Sequence, residues 1–185
     1  MSERDAAGPE AVLEFWFQAL EPAAWWRRDV ALDGEIARRF GALHERACRC
    51  ELYDWRRSAA GRLAEVIVLD QFSRNLYRDQ PRAFAQDGLA LALAQTAVAA
   101  GADAALPAAQ RSFFYLPYMH SESLLIHQQA LALFTANGIA QSLDYERRHL
   151  AILERFGRYP HRNAALGRTS TPAELAFLRE PDSSF

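Results

Sequence analysis

One short run, Val66-Ile67-Val68-Leu69, carries the β-branched density that favours a strand, and the chain offers it no partner. A lone strand cannot satisfy its own backbone donors and acceptors, so it needs a neighbour. Elsewhere apolar residues recur every three or four positions, the period of a helix with one buried face. The sequence therefore predicts an all-α fold, with helix across Val66–Leu69 as well.

Proline, glycine and capping residues divide this pattern. Pro9 to Leu20 predicts a first helix, with Pro9 at its first position and Val12, Leu13, Phe15, Trp16 and Leu20 on its apolar stripe. Trp25 and Trp26 follow in a linker and are expected to plug the core. Asp33 is expected to cap a helix reaching Cys48, and Leu52 to Arg57 forms a short connection carrying Trp55. Gly61 to about Tyr77 is the next helix. Pro81 opens a long alanine-rich helix ending near Gly101, and Pro107 opens one that Pro117 ends. Ser121 is expected to cap a helix stopped by Asn137-Gly138. Another runs from about Ser142 to Phe156-Gly157. Thr171-Pro172-Ala173-Glu174 reads as a capping box for a last helix to about Arg179. About eight helices joined by short connections stack as antiparallel hairpins. They make one domain, residues 1–185, with a C-terminal extension over 158–185 packing back on it.

Charge narrows the function. The 21 basic residues are all arginine against 23 acids, a net charge of −2, and alanine occurs 35 times. GC-rich codon usage accounts for most of that bias. The near-balance excludes a general nucleic-acid binder, whose affinity rests on neutralising phosphates, and the absence of lysine excludes a Walker-type phosphate loop. Met1 to Asp5 is polar with no apolar segment after it, so no secretory signal is expected. The run Leu89 to Leu106 contains Gln95, Thr96 and Asp103 and is too weakly apolar for a membrane span. On one helix Cys48 and Cys50 would point about 200° apart, so neither a mutual disulfide nor a metal clamp is expected. They are expected as ordinary thiols of a reducing cytoplasm. No cofactor motif is present.

Three polar clusters stand out. In Asp70-Gln71-Phe72-Ser73-Arg74-Asn75-Leu76-Tyr77-Arg78, Asp70 follows four apolar residues, which draws its carboxylate inward; Arg74, one turn on, is its local counterion. This is either an internal ion pair or the edge of a ligand site. In Tyr118-Met119-His120-Ser121-Glu122, a neutral His120 at a helix start with Glu122 nearby suits acid–base work; a plain capping arrangement is the alternative. In Arg155-Phe156-Gly157-Arg158-Tyr159-Pro160-His161-Arg162-Asn163, a rigid turn displays many donors, as a solvated basic loop or as an anion pocket. His149, in phase with Ile152, Leu153 and Phe156, reads as a satisfied core histidine. His120, Glu122, His127, His149 and His161 could gather around a metal, but nothing in their spacing fixes such a site, and none is expected.

These motifs, with Arg82-Ala83-Phe84-Ala85-Gln86-Asp87 and Leu166-Gly167-Arg168-Thr169-Ser170-Thr171, closely resemble an uncharacterised bacterial family, domain of unknown function 924. The resemblance runs from Val12-Leu13-Glu14-Phe15-Trp16-Phe17 to Ser184-Phe185. It implies a tetratricopeptide-like fold of helical hairpins and no established activity. Ser73 stands where the family usually has proline, which implies a smoother helix here.

The functional expectation is a cleft lined by Arg, His and Asn that binds a small anion, or a peptide or partner bearing carboxylates. Arg74, Asn75, Tyr118, Arg158, His161, Arg162 and Asn163 would form its wall, with Asp70 and Glu122 orienting the arginines. A hydrolase or transferase acting on an anionic substrate through His120 or His161 is the alternative. Purely structural networks are the third reading. Two of the three asparagines follow an arginine, in Arg74-Asn75 and Arg162-Asn163, and those pairs mark where the site is expected.

Overall fold

A computed structural model describes residues 7–181 and residue 183; Ser184 and Phe185 of the family resemblance lie outside them. The described chain is helical, with no strand. Helix α1 (Pro9–Glu14) continues into a π-helical turn, Phe15–Ala19. Helix α2 (Val30–Cys48) follows, then α3 (Ala59–Ile67), a second π-helical turn over Val68–Phe72, and α4 (Ser73–Leu76). Helices α5 (Asp87–Ala99), α6 (Ala108–Met119), α7 (Leu124–Asn137), α8 (Ala140–Phe156) and α9 (Pro172–Phe177) complete the order. Connections of two to four residues bring α6 against α7 and α7 against α8, so each pair is antiparallel.

The strand-like run Val66–Leu69 is helical and fully buried, because β-branched side chains here fill the centre of the core rather than one face of a sheet. Phe15, Trp16, Phe40, Phe72 and Phe113 share that core and meet one another in tilted and edge-on ring contacts. Gly138 and Gly157 stop α7 and α8 with φ of 77° and 70°, a conformation in which a Cβ is strained. The capping box at Thr171 and Glu174 is complete.

Several boundaries differ from expectation for local reasons. Asp29, not Asp33, caps α2 by accepting from the N–H groups of Ala31 and Leu32; Asp33 is held instead by Arg78 and Asn75. Pro81 opens only a short 3-10 turn to Ala83, and α5 starts at Asp87. Pro117 sits inside α6, which runs on to Met119. Ser121 caps nothing: α7 begins after Ser123. Trp25 does seal the core edge, donating from Nε1 to the Trp16 carbonyl, but Trp26 is 56% exposed, its ring stacked over Phe113 and Tyr145. The helix through Ser73 is not smooth, since the π turn ends directly before it.

No helix of the described residues is long and apolar enough to cross a membrane.

Candidate functional site

The π turn sets the site. One extra residue within Val68–Phe72 offsets the helical phase by about 100° relative to a regular helix, and all five residues are buried. Asp70, 1% exposed, is carried into the interior. Burial alone would protonate it. Arg74 Nη1 at 3.1 Å, His120 Nδ1 at 2.7 Å and Gln71 Nε2 at 2.6 Å instead hold its acidity well below the usual carboxylate range. Asp70 therefore accepts, His120 Nδ1 carries hydrogen, and Nε2 of the neutral ring has its lone pair free. Burial and the nearby Arg74 charge push the His120 pKa down, which keeps the ring neutral at pH 7.

His120 lines a cavity of about 340 Å³ together with Phe84, Asp87, Ser121, Glu122 and Arg162 among others, and Nε2 makes no hydrogen bond to the described protein. Asp87, at the start of α5, is the second organiser. It takes two bonds from Arg74, at 3.0 and 3.2 Å, and one from Arg162 Nη1 at 3.0 Å, while both guanidinium groups lie over the Phe84 ring. Arg162, 8% exposed, also donates from Nη2 to the His120 carbonyl.

Glu122 does not reach His120 as its acid–base partner. It accepts a bidentate bond from Arg168, at 2.7 and 2.9 Å, and one from the Tyr159 N–H. These donors lower its pKa despite burial. The His161 ring lies 5.6 Å from that of Tyr159, and burial depresses its pKa to about 3. The arginines of the basic loop are paired with acids from other parts of the chain. Glu174 takes Arg158, which also donates to the Thr169 carbonyl; Glu122 takes Arg168, and Asp87 takes Arg162.

The remaining candidates lie outside the cavity lining. Asn75 donates to Asp33 Oδ1 at 2.8 Å on the α2 side. Tyr118 is buried, its phenol pushed up to about 12 by burial and Asp103. Asn163, fully buried, joins Ser170 to Arg168. His149 is the satisfied core histidine expected, its Nδ1 2.8 Å from the Tyr145 carbonyl. Asp87 and Arg168 are the residues of this network that the local motifs did not single out as partners. The signal available was the acidic residue ending Arg82–Asp87 and the arginine in Leu166–Thr171. Among the described residues no group of three or more His, Cys, Asp or Glu is placed to hold a metal ion.

The sequence profile of a bacterial protein family of unknown function, DUF924, matches residues 12–182. Among solved structures, a protein of unknown function from Agrobacterium tumefaciens is similar over 92% of this chain and 96% of its own. It shares 38% sequence identity, with a TM-score of 0.88. Comparison with curated proteins gives no match.

Proposed function

The chain belongs to the bacterial DUF924 family, and from that premise we propose that it is an enzyme in which His120 is the acid–base group. The observation that carries this reading is the Asp70–His120 contact on a ring that lines a cavity sized for a small substrate, its Nε2 without a hydrogen bond among the described residues. A carboxylate on Nδ1 fixes the tautomer and stabilises the imidazolium that forms when Nε2 takes a proton. Proton removal from water, or from a substrate hydroxyl or carbon, is the chemistry such a ring performs. Hydrolysis is the simplest case, with the lone pair activating a water against a substrate seated on Phe84, Pro117 and Leu166. Free thiols at Cys48 and Cys50 suit a reducing cytoplasm.

The test is turnover of a panel of small ester, amide, thioester and phosphoester substrates by the purified protein, with His120→Gln alongside. Hydrolysis of one class, lost at least about a hundredfold in the variant, supports the reading. Activity that survives His120→Gln undiminished would sink it, as would no turnover of any class.

A second reading, a binding site for a small anion or a carboxylate-bearing peptide, is favoured by one observation: Arg74 and Arg162 share the single carboxylate of Asp87. Burial and, after it, the neighbouring Arg74 charge lower the pKa of Arg162, and an added anion would offset that crowding of charge. A rise in melting temperature with phosphate or small dicarboxylates, and without turnover, would select this reading.

A further inference from the structure

A second histidine–acid pair stands behind the cavity wall. His127 on α7 and Glu146 on α8 both have 0% side-chain exposure, with Nδ1 2.6 Å from Oε1. The other ring nitrogen, Nε2, lies 2.9 Å from the Ser121 carbonyl and 3.0 Å from the Tyr159 phenol oxygen. The phenol has one hydrogen, and it points at the Met119 carbonyl 2.5 Å away. A carbonyl only accepts. Nε2 of His127 therefore carries a hydrogen and donates to both oxygens.

One further proton remains for the Nδ1–Oε1 contact. It makes either an imidazolium–carboxylate pair or a neutral imidazole with a carboxylic acid. Glu146 Oε2 is buried and has no hydrogen-bond partner among the described residues. An ionised carboxylate would leave half its charge there unsolvated, whereas the carbonyl oxygen of an acid bears far less charge. Burial also pushes the Glu146 acid upward. The neutral pair is the state that fits.

Its consequence falls on His120. The last carbonyls of α6 have no partners within the helix. Three consecutive carbonyls, the last of α6 and the two after it, are held by side chains: Met119 by Tyr159, His120 by Arg162, and Ser121 by His127. We propose that Glu146 and His127 form a neutral, proton-sharing pair that positions His120, the acid proton fixing His127 as the tautomer whose Nε2–H anchors Ser121. Both are positioning residues, acting on the base through the main chain. Their use in catalysis rests on the reading of His120 as an acid–base group; the pair's protonation and its hold on the loop do not.

The five histidines make a direct test practical. Long-range proton–nitrogen spectra of histidine-labelled protein at pH 7 are expected to show His127 with one protonated nitrogen and one bare one. Its signals are assigned by their loss in His127→Gln. Two protonated nitrogens overturn the neutral pair. Glu146→Gln, whose amide can donate to Nδ1 as the acid does, is expected to leave the His120 titration unchanged. Glu146→Leu removes that donor and is expected to move the His120 midpoint by about half a pH unit or more. In any assay with turnover it should lower kcat roughly tenfold with KM unchanged. If Glu146→Leu lowers only the melting temperature, or Glu146→Gln disturbs His120 as much as Glu146→Leu does, the positioning role is wrong. Should Glu146→Leu fail to fold, the wild-type spectrum and Glu146→Gln decide. His120→Gln with full activity would refute the enzyme reading while leaving the His127 spectrum intact, so the two failures are distinct.

Discussion

Nδ1 of His120 lies 2.7 Å from Oδ1 of Asp70, 50 residues earlier in the chain, and that same oxygen is 3.1 Å from Arg74. One carboxylate oxygen thus fixes an imidazole tautomer and neutralises a guanidinium. Asp70→Asn removes the charge but keeps the volume. Arg74 retains Asp87, so the variant is expected to fold. The hydrogen on Nδ1 loses its anionic acceptor, and the ring is free to adopt the other tautomer. In an assay with turnover, kcat is expected to fall by about two orders of magnitude or more. Without the Asp70 charge the imidazolium is harder to form, so the acid limb of the pH–rate profile moves to lower pH. Unchanged kcat in a folded Asp70→Asn protein would exclude the dyad.

Several histidines are buried in their neutral form, and this sets the acid stability. Burial lowers the pKa of His149 and His161 to about 3, and lowers those of His44 and His120 as well. The unfolded chain titrates its histidines near 6.5, so below that pH it binds protons the native protein refuses. Their contribution is complete above pH 6.5 and falls away as pH drops toward 3. From pH 7.5 to 5, His149 and His161 together remove about 4 kcal/mol, a large part of a typical domain's stability. The depressed carboxylates Asp70, Glu122 and Glu174 work in a separate, lower window: their stabilisation is present above about pH 4.5 and lost below it. Urea denaturation at pH 7.5, 6 and 5 should show the first loss before the second begins. A flat profile to pH 5 would mean that these rings are protonated in the native state.

Among the described residues Asp87 is the carboxylate that pairs with Arg162, and it is shared with Arg74. Asp87→Asn leaves two guanidinium groups over Phe84 with less counter-charge. It is expected to destabilise the protein by about 3 kcal/mol, the scale of breaking a buried ion pair from one side. The same vacancy should make the variant the better anion binder. Inorganic phosphate at millimolar concentration should raise its melting temperature more than that of the parent. Equal shifts in both proteins would show that phosphate does not reach this fork.

The sequence revealed whatever a helix decides locally. Gly138 and Gly157 end helices because their φ is positive, and Thr171 with Glu174 closes a reciprocal cap within four residues. The burial of Asp70 and its pairing with Arg74 follow from apolar phase and a one-turn spacing. Pairings across the fold were not legible. Asp70 meets His120, Arg162 meets Asp87 75 residues away, and Glu122 meets Arg168. No local period encodes these. The acids that meet the basic run near Arg158 and the Arg168 after it arrive from α5, from the loop before α7 and from α9. Ser121 misled for the converse reason: a serine suited to capping lies three residues before α7, and its carbonyl is taken by His127.

Gly61 offers a test in which two local rules oppose each other. It lies in the first turn of α3, after Ser58, whose hydroxyl accepts the Gly61 N–H at 3.0 Å. Helix propensity favours Gly61→Ala by about 1 kcal/mol. A Cβ at this position, however, would meet the Trp55 carbonyl oxygen at 2.1 Å and its carbon at 2.9 Å. Backbone cannot rotate away as a side-chain tip can, so the 3-10 turn Tyr53–Arg57 must move off α3. That turn carries Arg56, which makes a bidentate bond to the buried Glu65 at 2.7 Å on both arms. Displacing it strains an ion pair as well as a packing contact. The clash outweighs the propensity gain, and Gly61→Ala is expected to lose roughly 2–3 kcal/mol, the range of an overpacked interior. A melting temperature at or above that of the parent would show that the turn yields freely and that Gly61 is not held by close approach.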